Sequence, residues 1–214
     1  MLSALDKTLE KFIAVKAPDP SLLRAAKIDF SIPDESFRMG LSDLTLNFFL
    51  YEMNENLEAR RADPLLERGP DWGAYRRSPA LLDCGYCITA WSPADEPPER
   101  VKQEHRVLGE LVTLLLRYPR IPKEYWEHEP DEAESTAIAS RVVAPYPTVV
   151  ARHDALKNQA EFWTALDHPP KLTLTYVVTI AIPLHDEATK HHLVGPTEDK
   201  IQVGVDYQPK AETA

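Results

Sequence analysis

Glycine and cysteine are scarce in this chain, and basic residues are outnumbered. Only seven of its 214 residues are glycine, too few for most phosphate cradles, which need successive backbone N–H groups left bare of side chains. The patterns G-x-S-x-G, G-x-G-x-x-G, H-E-x-x-H and the phosphate-binding loop are all missing, so no common hydrolase, nucleotide or zinc-protease motif names a reaction. Lys and Arg total 24 against 34 Asp and Glu, giving a net charge of -10. That balance argues against a general nucleic-acid binder, which needs clustered positive charge. No apolar run approaches membrane-spanning length. Residues 1–16 carry Asp6, Lys7, Glu10 and Lys11 and lack the unbroken apolar core of a secretory signal, so the product is expected to fold in the cytosol. The two cysteines, Cys84 and Cys87, are spaced C-x-x-C. That spacing suits a redox pair or half a zinc site at a helix start, but in a strand the two thiols point to opposite faces. A second pair is missing, so buried core residues are the favoured reading and no cofactor is expected.

What is present is a core. Hydrophobic residues make up 43% of the chain, and 19 prolines punctuate it without repeating, which fits ordered loops around one large domain. The organising stretch is Pro79–Ser92, PALLDCGYCITAWS. Leu82, Cys84, Tyr86, Ile88 and Ala90 alternate with Leu81, Asp83, Gly85, Cys87, Thr89 and Trp91. Both sets are mostly apolar or small, as in a strand covered on both faces. A helix follows over 99–117, with Val101, His105, Leu108, Leu111, Val112 and Leu115 on its apolar face and Gly109 read as a site of close packing.

The same periodicities predict helices over 2–15 and 154–166 and strands over 28–32, 44–54, 80–91 and 172–183. A short helical turn is expected over 21–26, another from Ile121 to Glu127, and two short edge strands or one proline-broken strand over 137–150. Asp34–Asp43 reads as a loop. The fold class is therefore α+β, a mixed, mostly antiparallel sheet with about three helices packed on it. Residues 1–184 form the domain, and 185–214 form an extension with a possible appended strand.

Candidate functional residues are few. His185, Asp186, His191 and His192 would make a metal site only if another element joined them; in a polar tail, solvated histidines are the ordinary case. The stretch Gly69–Ser78, GPDWGAYRRS, places Trp72 and Tyr75 beside Arg76 and Arg77, a hot-spot composition for a protein interface. Trp72 folding back on the core is the competing reading. Arg60 and Arg61 extend the charged stretch before it. In the tail, Ile201, Val203 and Val205 alternate as a strand would. These nine residues, Arg60 to Val205, are the candidate partner contacts.

Four blocks in order carry a resemblance. They are the opening helix Leu2–Phe12 with the Ile28–Phe30–Pro33 strand, LNFFLYEMNEN with Arg60, YCITAWS followed by EHRVLGELVTLLLRYPRIP, and EFWTALDHPPKLTLTYVVTIAIP. Together they cover about residues 1–184. The chain resembles the amino-terminal domain of tail-terminator, or cap, proteins of extracellular contractile injection systems, which are phage-tail-like particles of bacteria. The resemblance implies a tail-terminator-like fold and a structural role with no catalytic residues. It further implies a homohexameric ring closing the distal end of the inner tube and sheath, with the tube protein and the sheath protein as partners. It places the chain in the bacterial cytoplasm during assembly and in the particle afterwards. An adaptor or baseplate-associated subunit of the same particle, and a metal-dependent hydrolase, stay open as alternatives.

Overall fold

The central stretch does become the middle of a sheet. The computed structural model describes residues 1–60, 63–68, 72–127, 146–152, 156, 159–184 and 190–192. In chain order its elements are α1 (Leu2–Lys16), α2 (Leu22–Ala25), β1 (Lys27–Asp29), α3 (Glu35–Met39), β2 (Thr45–Glu55), β3 (Leu65–Arg68), β4 (Trp72–Arg76) and β5 (Ala80–Trp91). They continue with α4 (Pro97–Arg117), β6 (Arg120–Ile121), a 3₁₀ turn at Lys123–Tyr125, β7 (Tyr146–Val150), α5 (Gln159–Ala165), β8 (Leu174–Ile182) and β9 (Lys190–His192). The chain divides into two compact units, Met1–Arg61 with Ser78–His185, and Ala62–Arg77 with Asp186–Ala214.

The first unit holds a six-stranded sheet in the order β1-β2-β5-β8-β7-β6. Its β1–β2 pair is parallel and its other pairs are antiparallel. β5 pairs with β2 from Leu82 to Trp91 and with β8 from Ala80 to Ile88. On one face Cys84, Tyr86, Ile88 and Ala90 join the main core with Leu9, Phe12 and Ile13 of α1 and Val107, Leu111 and Leu115 of α4. Full burial of side chains such as Phe12 is worth about 1.5–3 kcal/mol each. On the other face Trp91 meets Phe37 of α3 with ring centroids 5.2 Å apart, and Phe49 meets Phe162 of α5 at 6.1 Å. The fold is thus α+β, and the strand apolar on both faces is covered on both.

The second unit's described part is a three-stranded antiparallel sheet, β3-β4-β9. Residues 62–77, expected inside the first domain, group with the C-terminal segment in this division.

Several expectations need correction. The loop over 34–43 contains α3, because the Asp34 carboxylate accepts from the Phe37 N–H at 3.0 Å and caps it. The strand expected over 28–32 stops at Asp29. The Asp29 carboxylate accepts from the Ser31 N–H at 2.8 Å, and the Ser31 carbonyl accepts from the Asn47 side chain at 2.8 Å, which turns the chain away from the sheet. The glycine- and proline-containing stretch 69–78, which reads as a loop from its sequence, contains strand β4 at Trp72–Arg76, and residues 69–71 lie outside the described residues. β7 lies between β8 and β6 and so is not an edge; residues 137–145 of that expected strand lie outside the described residues. The helix expected over 154–166 is described from Gln159 to Ala165.

The buried stripe of α4 also runs differently. Val101 and His105 are exposed, while Val107, Leu108, Leu111, Leu114 and Leu115 are buried. Gly109 lies on the exposed side, and a Cβ placed there would meet nothing within 4 Å. Close packing therefore does not explain it. Gly109→Ala should stabilise the chain by about 1 kcal/mol and raise its Tm by roughly 2–4 °C, as read by thermal denaturation.

A half-buried carboxylate ties α1 to the sheet. The Tyr86 hydroxyl donates to Asp6 at 2.8 Å. Burial pushes the Asp6 carboxyl above its ordinary value of 3.8, and the bond from Tyr86 opposes the shift. The folded chain therefore keeps this proton where the unfolded chain has lost it. The stability Asp6 contributes falls as pH rises from 3.8 through the folded pKa, and is constant above it. Asp6→Asn should remove that dependence. Urea denaturation should show the variant gaining on the parent between about pH 4 and pH 7.

Candidate partner-binding surface

The sequence-predicted contacts fall on both units. Arg60 belongs to the first, just beyond β2. Its guanidinium lies 3.5 Å from Glu55 with both side chains exposed, a pair that water screens and that adds little. Trp72, Tyr75 and Arg76 are residues of β4 in the second unit, with Arg77 next to its end. Trp72 pairs with His192, Tyr75 with Leu66 and Arg76 with Leu65. The Tyr75 side chain is 62% exposed, a large aromatic open to solvent. Arg77 is also exposed. Arg61, Ile201, Val203 and Val205 lie outside the described residues, as do His185 and Asp186. Among the described residues no group of three metal-ligating side chains stands together. Cys84 and Cys87 are buried free thiols. Burial pushes both up to about 12, so neither is a thiolate nucleophile at neutral pH.

Three features escaped the sequence reading. The first is a nearly buried ion pair between Lys171 and Glu104 at 2.6 Å, with side-chain exposures of 14% and 12%. Lys171 also sits 4.7 Å from the centre of the Trp91 ring, while the other Glu104 oxygen accepts from the Ser92 N–H at 3.1 Å. Burial lowers the Lys171 pKa, and Glu104 partly restores it. One carboxylate thus fastens α4 to the end of β5 and to the approach of β8. No spacing in the sequence signals it, since Glu104 and Lys171 are 67 residues apart.

The second is a polar cluster on β5, where Asp83 accepts from Thr179 at 2.7 Å and from the Asn56 side chain at 3.1 Å. It ties the end of β2 to β8 across the sheet. The third is a cleft of about 330 Å³ along α4, lined by residues including Pro18, Arg106, Gly109, Thr113 and Arg117. Its lining is mostly apolar, with Arg106, Glu110 and Arg117 as its charged members.

The family model for the Pvc16 N-terminal domain matches residues 4–195. The chain belongs to that family. Two solved structures share its fold. One is the cryo-EM structure of the PVC sheath/tube terminator in the extended state, from an extracellular contractile injection system. It aligns with a TM-score of 0.60 at 18% identity, covering 100% of this chain and 65% of that one. The other is the anti-feeding prophage cap, a tube terminating cap, with a TM-score of 0.63 at 21% identity, covering 94% of this chain and 62% of that one. This Pvc16 N-terminal domain chain therefore spans under two-thirds of the length of either structure. No curated protein matches it. No helix among the described residues is long and apolar enough to cross a membrane.

The ion pair sets a stability test. Glu104→Ala leaves Lys171 charged and unpaired and should cost about 3–5 kcal/mol. Adding Lys171→Met should recover most of the loss in urea denaturation, because an apolar pair needs no partner. A Glu104→Ala chain as stable as the parent would remove the pair from the account.

Proposed function

We propose that this chain is a non-enzymatic cap, the part of a tail terminator that closes the distal end of the inner tube and contractile sheath of a phage-tail-like injection particle. The observation that carries the reading is the fold it shares, over nearly its whole length, with two proteins that terminate tubes in such systems. Family membership over residues 4–195 supports it. The proposed form is a ring of six copies, in which one head-to-tail contact is repeated until it closes. The inner tube protein and the sheath protein are the proposed partners. Assembly takes place in the bacterial cytoplasm, and the chain is then carried in the particle. In this reading Arg60, Arg61, Trp72, Tyr75, Arg76 and Arg77 are proposed as contact residues. Residues 185–214 act as an extension, and Ile201, Val203 and Val205 supply an added strand.

The reading has a physical logic. A tube or sheath ends in unpaired edges that template further addition. A terminator stops growth by occupying those edges while offering no equivalent template beyond itself.

Particles assembled without this chain should show it directly. Electron microscopy of negatively stained preparations is expected to find tubes and sheaths of uncontrolled length with open distal ends. Particles of ordinary length with closed ends would overturn the cap reading, and loss of baseplates instead would move the chain to the adaptor role.

A further inference from the structure

The cleft along α4 has a feature that the fold does not require. Gly109 lies in its lining, in the interior of a 21-residue helix. Glycine there costs about 1 kcal/mol against Ala, and a Cβ would meet nothing within 4 Å. No described residue of the chain uses the space that the missing side chain leaves. A bare backbone position of this kind suits close approach from outside.

The charge of the cleft follows from what its carboxylate already does. Both Glu110 oxygens are engaged, one by the Leu23 N–H at 2.8 Å and the other by the Arg106 Nε at 3.3 Å. Arg117 is exposed, and its side chain makes no hydrogen bond or ion pair among the described residues. A helix C-terminus favours a cation such as Arg117, but that does not account for Gly109. The lining is thus mostly apolar with a net positive charge, which calls for an occupant bearing carboxylates beside compact apolar groups.

The chain presents such a group at the other end of the same helix. Ser92–Glu99, SPADEPPE, leads from β5 into the first turn of α4. Hydrogen bonds fix its shape. Arg100 donates to the Ala94 and Asp95 carbonyls, each at 3.0 Å, and the Ser92 hydroxyl accepts from the Ala94 N–H at 3.2 Å. The Arg100 guanidinium is therefore engaged with backbone. Asp95 and Glu96 are exposed, and their side chains have no partner among the described residues. Pro93, Pro97 and Pro98 stiffen the stretch around them, and a loop ordered before it docks loses little entropy on docking. The loop does not reach the cleft of its own copy. About 15 Å of helix separates Glu96 from Arg106, and about 30 Å separates it from Arg117.

We propose that the α4 cleft of one copy receives the Asp95–Glu96 loop of the next copy. The inference rests on the ring reading and gives that ring its repeating contact. Loop and cleft are different surfaces, so the contact is head-to-tail and can close. Arg117 meets the incoming carboxylates, and the prolines beside them pack over Gly109.

Exchange of charge between the two surfaces tests it. Asp95→Arg with Glu96→Arg makes the loop basic, and Arg117→Glu makes the cleft acidic. Native mass spectrometry is expected to find the parent as a closed multimer and each variant alone as a monomer. An equal mixture of the two is expected to form a multimer holding both in equal number, because each loop then meets a cleft of opposite charge. Gly109→Leu fills the cleft and favours the helix. It is expected to self-associate at least tenfold more weakly than the parent, with undiminished helix content by circular dichroism and no loss of Tm. Charge variants that each assemble like the parent, a mixture that stays monomeric, or a Gly109→Leu chain that assembles like the parent overturns the contact. A closed parent multimer in the first of these cases leaves the ring reading standing. A parent that stays monomeric overturns the contact and the ring of free chains together, while particle length, read separately, decides the cap reading.

Discussion

The structure depends on β5 being hydrogen-bonded on both sides and buried on both faces. A strand in that position cannot slip, because a shift of one residue would exchange the Cys84–Tyr86–Ile88 face with the Gly85–Cys87–Thr89 face. Its neighbours inherit their register from it. Gly85 contributes a local adjustment: a Cβ there would come within 2.7 Å of the Glu52 side chain. The bare position lets Glu52 lie across β5 where β2 bulges. The helices then divide the work. α1 and α4 cover one face with a continuous apolar layer, and α3 and α5 cover part of the other through rings rather than aliphatic stripes.

Polar connections fix what the apolar layers leave adjustable. The Glu104–Lys171 pair and the Tyr86–Asp6 bond each join elements far apart in sequence, the first nearly buried and the second half-buried at Asp6. Charged groups in such places lend geometry more than net stability, since desolvation offsets most of their attraction. In the proposed ring such fixed geometry would limit the angular error that accumulates from copy to copy. The described residues hold buried thiols of raised pKa and an open cleft along α4, mostly apolar in lining, with Arg106 and Arg117 among its residues.

Much of the fold was legible because it rests on period. β5, β2, β8, α1 and α4 are long enough for alternation or helical spacing to show, and the β5 limits, 80 to 91, agree with expectation to the residue. Short elements were not legible. α3 has five residues, and its signal is one capping aspartate, Asp34. β3, β4 and β9 read as charged loop or tail because three to five residues carry too little pattern. α4 misled at its start: Val101 and His105 fit the apolar spacing, yet the stripe that packs runs through Glu104, whose charge hides it until Lys171 arrives from elsewhere. The candidate surface was legible in kind and not in place. Composition singled out Tyr75, which is exposed, while the short reach of β1 along β2, from Thr45 to Asn47, is a tertiary outcome.

Placing the chain on a particle tests the central claim most directly. Purified particles carrying a gold-labelled tag on this chain would be imaged by electron microscopy. The account requires label at one end of the extended tube and sheath, opposite the baseplate, with density for a closed ring beneath it. Label along the shaft or at the baseplate would contradict it.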